Sequence, residues 1–310
     1  MNQPRVLVLG AGGFLGRHVA ATLRTSGAFD VAIASRSAAG PGSYALDLAT
    51  ADRGAIAEVV EEVRPDIVVN CSGATRGDPP TLVHGNVVVV AELLAAIATG
   101  SSRRRVVHLG SAAEYGAVPL GAPIREDTPP KPVGDYGVTK LAGTELVIAA
   151  GRAGHVDAIV LRVFNPIGAG APANSVLGRA AMRMREALAG GSTEIHLGSL
   201  DDERDFVDAR DVADAVTAAA GAPGPLGARI VNIGSGRATL VRDAVARLAR
   251  VASFSGEIVE DGPIGAGSRV PWQQADVSAA AEILGWRPRR RLDESIEAVW
   301  AGSRDQASER

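Results

Sequence analysis

The sequence predicts an α/β fold with a doubly wound parallel sheet, followed by a smaller C-terminal α/β domain. Three observations lead there. Short apolar runs alternate with amphipathic segments along most of the chain. Most of these runs are continuous in Val, Ile and Leu rather than alternating, which suits strands buried on both faces of a parallel sheet. The first run also leads through a glycine-rich turn, GAGGFLG, into the first helical segment. Strand–helix–strand repetition of this kind packs helices on both faces of one sheet.

The elements follow in order. Arg5–Leu9 is the first strand, and 16–25 the first helix. The second strand is 31–34, followed by a helix over Arg53–Val63. Strands Ile67–Asn70 and 106–109 flank a helix over 88–98. A helix over 136–150 precedes the strand 158–163, and a helix over 209–220 precedes the strand Arg229–Ile233. After Phe164 the pattern loosens. Gly, Pro and Ala crowd 166–173, a helical piece covers 175–189, and 272–300 reads as a short extended run and two helices. Residues 1–168 with 206–236 therefore form the sheet domain, and 169–205 with 237–310 the smaller one. The polar end, AGSRDQASER, reads as frayed.

The chain has 310 residues, enough for one large or two smaller domains. A formal net charge of −3 argues against a general nucleic-acid binder, whose footprint is basic. The clusters Arg103–Arg105 and Arg287–Arg291 read as solvated arginines flanking apolar elements. A single cysteine, Cys71, excludes an intramolecular disulfide and suits a reducing compartment. The start, MNQPRVLVLG, lacks a signal-peptide core, and the apolar run 87–98 contains Glu92 and is too short to span a bilayer. The expectation is a soluble, cytoplasmic protein with no membrane partner. His18, His84, His108, His155 and His196 are scattered without metal-ligand spacing, so no metal is expected. GSAAEYG does not match the G-x-S-x-G elbow of serine hydrolases.

In GAGGFLG, Gly10, Gly13 and Gly16 have distinct jobs. One permits the tight turn, one leaves room for a pyrophosphate, and one lets the helix pack close to the strand. The helix N-terminus then offers free N–H groups and its positive dipole end to the phosphates. This pattern predicts a dinucleotide site. The second strand ends in Ser35-Arg36 with no acid to hold a ribose 2′-hydroxyl, and Asp30 lies before the strand. That favours NADP(H), with NAD(H) the alternative. Asp47-Leu48 could reach the adenine. Cys71, in NCSGAT, reads as a small buried residue beside the cofactor edge.

DYGVTK sets Tyr136 and Lys140 one helical turn apart on one face. A free tyrosine has a pKa of about 10, and a neighbouring ammonium is expected to lower it. Such a pair can move a proton on or off a carbinol oxygen while hydride passes to or from a nicotinamide. Lys140 can also bind the ribose hydroxyls.

With these motifs the chain resembles the extended short-chain dehydrogenase/reductases, the sugar-nucleotide epimerase/dehydratase/reductase group. The resemblance covers nearly the whole chain, through GAGGFLG, LDL, GSAAEYG, YGVTK, RVFNPIG, RDFVDARDVADA and LGWRPRRRLDESI. It implies a Rossmann fold and a third catalytic residue, Ser111. It implies cofactor contacts at Phe14, Leu15, Ser72, Gly73, Asn86, Leu109 and Phe164, Asn86 reading also as a helix cap. It implies diphosphate contacts at Asn165, Arg204 and, in a departing local sequence, Arg269. It implies a homodimer built on the helices at 88–98 and 136–150.

The resemblance also narrows the reaction. Family dehydratases carry an Asp-Glu pair after the catalytic Ser or Thr; here Ala112 and Ala113 stand there. The members that epimerise C3 and C5 use a Cys and a His that are also missing. What remains is a 4-ketoreductase using NADPH on a nucleotide-linked 4-keto-6-deoxy sugar, nearest to GDP-4-keto-6-deoxymannose reductases. A 4-epimerase holding NAD is the alternative, and a non-catalytic cofactor-binding regulator the second. Intact Ser111, Tyr136 and Lys140 speak against the regulator. In LGSAAEYGAVP, Glu114 and Tyr115 either shape the loop or line the sugar pocket.

Overall fold

The computed structural model describes residues 3–37, 40–98, 103–262 and 270–303. Seven parallel strands form the main sheet: β1 (Arg5–Leu9), β2 (Asp30–Ser35), β3 (Ser43–Ala45), β4 (Ile67–Asn70), β5 (Arg105–Ser111), β6 (Asp157–Val163) and β11 (Arg229–Ile233). Their order is β11-β6-β5-β4-β1-β2-β3. The chain reverses direction across the sheet between β1 and β4, and in open parallel sheets ligands bind at that crevice.

Successive strand residues point to opposite faces, so each strand feeds two cores. Val6 and Val8 pack with α1 (Phe14–Ser26) and α7 (Ala209–Gly221). Leu7 and Leu9 pack with α2 (Arg53–Val63), α4 (Val89–Ile97) and α5 (Gly134–Arg152). All seven β6 residues are buried, which is why its run is continuous rather than alternating. Each fully buried Val or Leu contributes about 1.5–3 kcal/mol.

The short helix α3 (Pro79–Val83), a π-turn (His84–Val88) and α4 join into one helix, Pro79–Ile97. It starts well before the predicted 88–98. Its cap is Asp78, whose carboxylate accepts from Thr81 N–H at 3.1 Å. Asn86 is therefore no cap, because it lies inside the helix. By length and composition this joined helix could cross a membrane, which the run 87–98 alone did not suggest. Here it packs beside α2 and α5.

The remaining elements are β7 (Pro166–Ile167), α6 (Val176–Gly190), β8 (Glu194–Leu197), β9 (Glu203–Asp205), β10 (Val207–Asp208), β12 (Ala238–Leu240), α8 (Val241–Ala252), β13 (Glu257–Glu260), α9 (Ser278–Leu284) and α10 (Leu292–Gly302). A second core joins Leu177, Met184, Leu197, Leu248 and Ile296 from these segments. The predicted elements omit α8, although Val241, Val245, Leu248 and Ala252 share a buried face. Ala280 and Trp286, from the stretch predicted for the smaller domain, pack into the sheet core instead. Trp286 Nε1–H donates to the Asp211 carbonyl at 3.0 Å, tying that stretch to α7.

Three arginines depart from the solvated reading. Arg104 is buried and donates to the carbonyls of Pro65 and Ile97. Arg105 reaches the carbonyls of Ala219, Ala220 and Ala222 at the end of α7 and pairs with Asp157 at 2.9 Å. Arg290 pairs with Asp211 and Asp214. Guanidinium groups satisfy the open carbonyls and the negative dipole end of a helix C-terminus, as Arg104 does for α4 and Arg105 for α7.

Candidate active site

The glycine turn sits at the β1–β4 crevice. Gly10 has φ +72°, and a Cβ there would lie 2.9 Å from the Ser72 backbone. At Gly16 a Cβ would lie 2.0 Å from the Gly10 carbonyl oxygen. Only glycine allows α1 to press on the turn this closely. Gly13 is the N-cap of α1, with no side chain bonded over the helix end. The cradle is one that Cβ atoms would fill, and the N-terminal end of α1 carries no side-chain cap, so these residues fit a dinucleotide pyrophosphate. Leu15 packs on the sheet core and Phe14 on the second core.

Ser35 ends β2 beside the turn, its Cβ 3.7 Å from where a Cβ on Gly12 would be. Its hydroxyl donates to the Ser37 carbonyl at 2.8 Å, and Arg36 is exposed. Asp30 lies at the other end of β2, paired with Arg5 at 2.7 Å. Asp47 accepts from Ala49 N–H at 3.1 Å and so caps its own turn. Leu48 lines a cleft of about 470 Å³ with Ser72, Gly73, Ala74 and His84. Burial pushes the Cys71 thiol up to about 12, so it stays protonated.

β5 delivers Ser111 at its C-terminal end, and α5 delivers Tyr136 and Lys140. The Tyr136 hydroxyl meets the Ser111 side chain. Lys140 is buried and donates to the Leu109 carbonyl at 2.7 Å. The close approach depends on Gly137, where a Cβ would lie 2.7 Å from the Ala113 carbonyl oxygen. Asn86 links α5 to the loop after β4. Its amide accepts from Ala74 N–H at 3.0 Å and donates to the Ala74 carbonyl at 2.9 Å and to Thr139 Oγ1 at 3.0 Å. Asn70, unassigned from sequence, accepts from the Ser72 N–H at 3.0 Å and holds the same loop.

The expected lowering of Tyr136 by Lys140 does not hold in this arrangement. Burial pushes the phenol above its ordinary value; the Ser111 hydrogen bond opposes this and the nearby Glu114 carboxylate adds to it. Burial pushes Lys140 below its ordinary value, against the pull of Glu114 and Cys71. Tyr136 thus keeps its phenolic proton at neutral pH.

Glu114 and Tyr115 shape the loop and do not line a pocket, since both are fully buried. Glu114 Oε1 accepts from Ser111 N–H at 2.8 Å and from Thr144 Oγ1 at 3.0 Å. Its Oε2 accepts from Arg162 Nε–H at 2.7 Å. Removing one partner of such a buried pair costs about 3–5 kcal/mol. Tyr115 donates to Asn232 Oδ1 at 2.7 Å, and its ring lies 4.5 Å from the Arg162 guanidinium carbon. Phe164 is also fully buried and packs near Tyr115, so its side chain backs the cleft rather than lining it.

Of the residues expected to bind substrate, Asn165 donates to the Asp205 carbonyl at 3.1 Å, next in chain to Arg204. Arg204 Nη2 donates to Asp202 at 3.0 Å. Sequence reasoning missed Gln273, a buried amide that accepts from Asn165 Nδ2 at 3.0 Å. It also missed Asp205, which accepts from the N–H groups of Ser235, Gly236 and Ala275. Nothing in a lone Gln or Asp marks such convergence beforehand. Arg269 lies outside the described residues. Among the described residues no group of three His, Cys, Asp or Glu is placed to hold a metal ion.

Residues 6–234 match the family model described as the NAD dependent epimerase/dehydratase family. A dTDP-6-deoxy-L-talose 4-dehydrogenase (NAD(P)(+)) of Kitasatospora kifunensis is 40% identical over 303 residues, 96% of this chain and 94% of that protein. A GDP-6-deoxy-D-mannose reductase of Pseudomonas aeruginosa is 28% identical over 304 residues, 95% of both. The structure of RMD from Pseudomonas aeruginosa complexed with NADPH is similar with a TM-score of 0.83 and 26% identity, over 98% of both chains.

Proposed function

Since the chain belongs to the NAD dependent epimerase/dehydratase family, we propose that it is an NADPH-dependent 4-ketoreductase of a nucleotide-linked 4-keto-6-deoxy sugar. One observation carries the reading. Ser111, Tyr136 and Lys140 converge with the phenol kept protonated, and Ala112 and Ala113 stand where a dehydratase carries acids. The bound nicotinamide would supply the hydride to C4. Ser111 Oγ already accepts from Ala113 N–H at 3.2 Å, so the proton it shares with Tyr136 is the one it can turn to the carbonyl oxygen. Tyr136 then gives its proton to that oxygen as charge develops, with Lys140 one helical turn along the same face of α5. General-acid help of this kind is worth about 10²–10⁴-fold.

The 40% identical relative supports C4 as the reacting carbon and dTDP as the first carrier to test. NADPH in the similar structure supports the phosphorylated cofactor, as do Ser35 and Arg36. The test is cofactor oxidation with dTDP- and GDP-linked 4-keto-6-deoxy sugars. NADPH consumption with one of them is expected. Absence of turnover, or purified protein that retains NAD and interconverts C4 epimers without net oxidation, overturns the reading.

The reading extends to a homodimer through α4 and α5, in a reducing, cytoplasmic setting that suits the single Cys71. Val83 and Val88, on the joined helix just ahead of α4, and Val138 on α5 support the dimer, being 43%, 39% and 52% exposed. Val138→Glu is expected to convert a dimer to a monomer in light scattering; a monomeric parent protein removes the idea.

A further inference from the structure

Glu114 is used by no step above, yet its carboxylate contacts every element that builds the reacting set. Oε1 holds the Ser111 N–H at 2.8 Å and the Thr144 hydroxyl at 3.0 Å, and Oε2 holds Arg162 on β6 at 2.7 Å. Tyr136, Lys140 and Thr144 recur every four residues, so they lie along one face of α5. The backbone makes room for this contact. At Gly110 a Cβ would lie 2.8 Å from Glu114 Oε1, a distance real Cβ atoms do not show.

We propose that Glu114 is the positioning residue of this site: a single buried carboxylate that locks Ser111 to the catalytic face of α5 and sets Tyr136 up as an acid rather than a base. The proposal rests on the reading of Ser111, Tyr136 and Lys140 as the reacting set, and not on the sugar or nucleotide. The charged and titratable groups packed around this face agree with it. Just after β4, Cys71 stays a neutral thiol, and on β5, His108 is kept neutral by burial and by Lys140. On β6, Arg162 pairs with Glu114 through Oε2, while Oε1 is turned to Ser111 and α5. Tyr115 is pushed up to about 12 by burial and stays neutral. The field of Glu114 opposes the Tyr136 phenolate and favours the Lys140 ammonium, which is the proton inventory of a reductase.

The test needs no substrate. In a Tyr44→Phe/Tyr115→Phe background, where Tyr136 is the one remaining phenol, phenolate formation is followed by ultraviolet absorbance. Glu114→Gln keeps the shape and an acceptor oxygen but removes the charge. Its Tyr136 transition is expected to move toward acid by about one pH unit. Glu114→Asp, which keeps the charge, should titrate near the parent. If Glu114→Gln does not fold, Glu114→Gln/Arg162→Met removes both charges together, and its transition should move in the same direction by less. A folded charge-removing variant whose tyrosine titrates like the parent overturns the proposal. Where a substrate is in hand, the alkaline limb of ketone reduction should shift with the phenol. A parent protein with no turnover would sink the proposed activity while leaving this titration readable.

Discussion

In the glycine turn, the decisive contacts are made within 10–16 or to the next strand over. Gly16 presses on the Gly10 carbonyl, and Gly10 on Ser72. In the candidate substrate cluster, Asn165, Arg204, Gln273 and Asp205 come from segments far apart in the chain. They are held by bonds such as Asn165 to Gln273 and Asp205 to the N–H groups of Ser235, Gly236 and Ala275. The cofactor side is specified by what the backbone is allowed to do. The candidate substrate side is specified by which distant polar groups must be satisfied once buried. A change on the first side should act through space and backbone geometry, and a change on the second through unpaired hydrogen bonds and charge.

The largest effect belongs at the seam between the two sides. Tyr136→Phe should lower kcat by about 10²–10⁴-fold, with dinucleotide affinity unchanged by fluorescence titration. Arg204→Met should raise KM for the nucleotide sugar by an amount near 1.5–3 kcal/mol, or about 10–150-fold, and leave cofactor binding alone. If cofactor affinity falls too, the two sides are not separable. Gly16→Ala should do the reverse. Overpacking there should cost about 1–3 kcal/mol of stability in denaturant unfolding, with dinucleotide binding weakened. The smallest change, Arg36→Ala, should lower the ratio of NADPH to NADH affinity by about 1 kcal/mol, near fivefold. An unchanged ratio would move the 2′-phosphate contact to another residue.

Legibility in the sequence follows the same division. β1, β4, β11 and α2 form over the predicted residues, because apolar runs and helical periodicity are local properties. Ser111, Tyr136 and Lys140 meet as a set because one ends a strand and the others share a helix face. Asn86 looked like a cap because the helix start at Asp78 is marked only by a short Pro-Pro turn. Arg104 and Arg105 looked solvated because nothing in an arginine triplet reveals the helix C-termini waiting across the fold.

The sequence by itself determined the strand–turn–helix units, the glycine cradle and the Tyr136–Lys140 pair. Each depends on φ/ψ preference or on a period of a few residues, and these act within the segment that carries them. The tertiary structure decided which charges are buried and with whom. Whether Glu114 lines a pocket or braces Ser111 depends on Arg162 and Thr144 arriving beside it, and whether Tyr136 is an acid or a base depends on that buried neighbourhood. Desolvation and Coulomb energy are set by everything within a few ångströms, and only the folded chain brings those groups together.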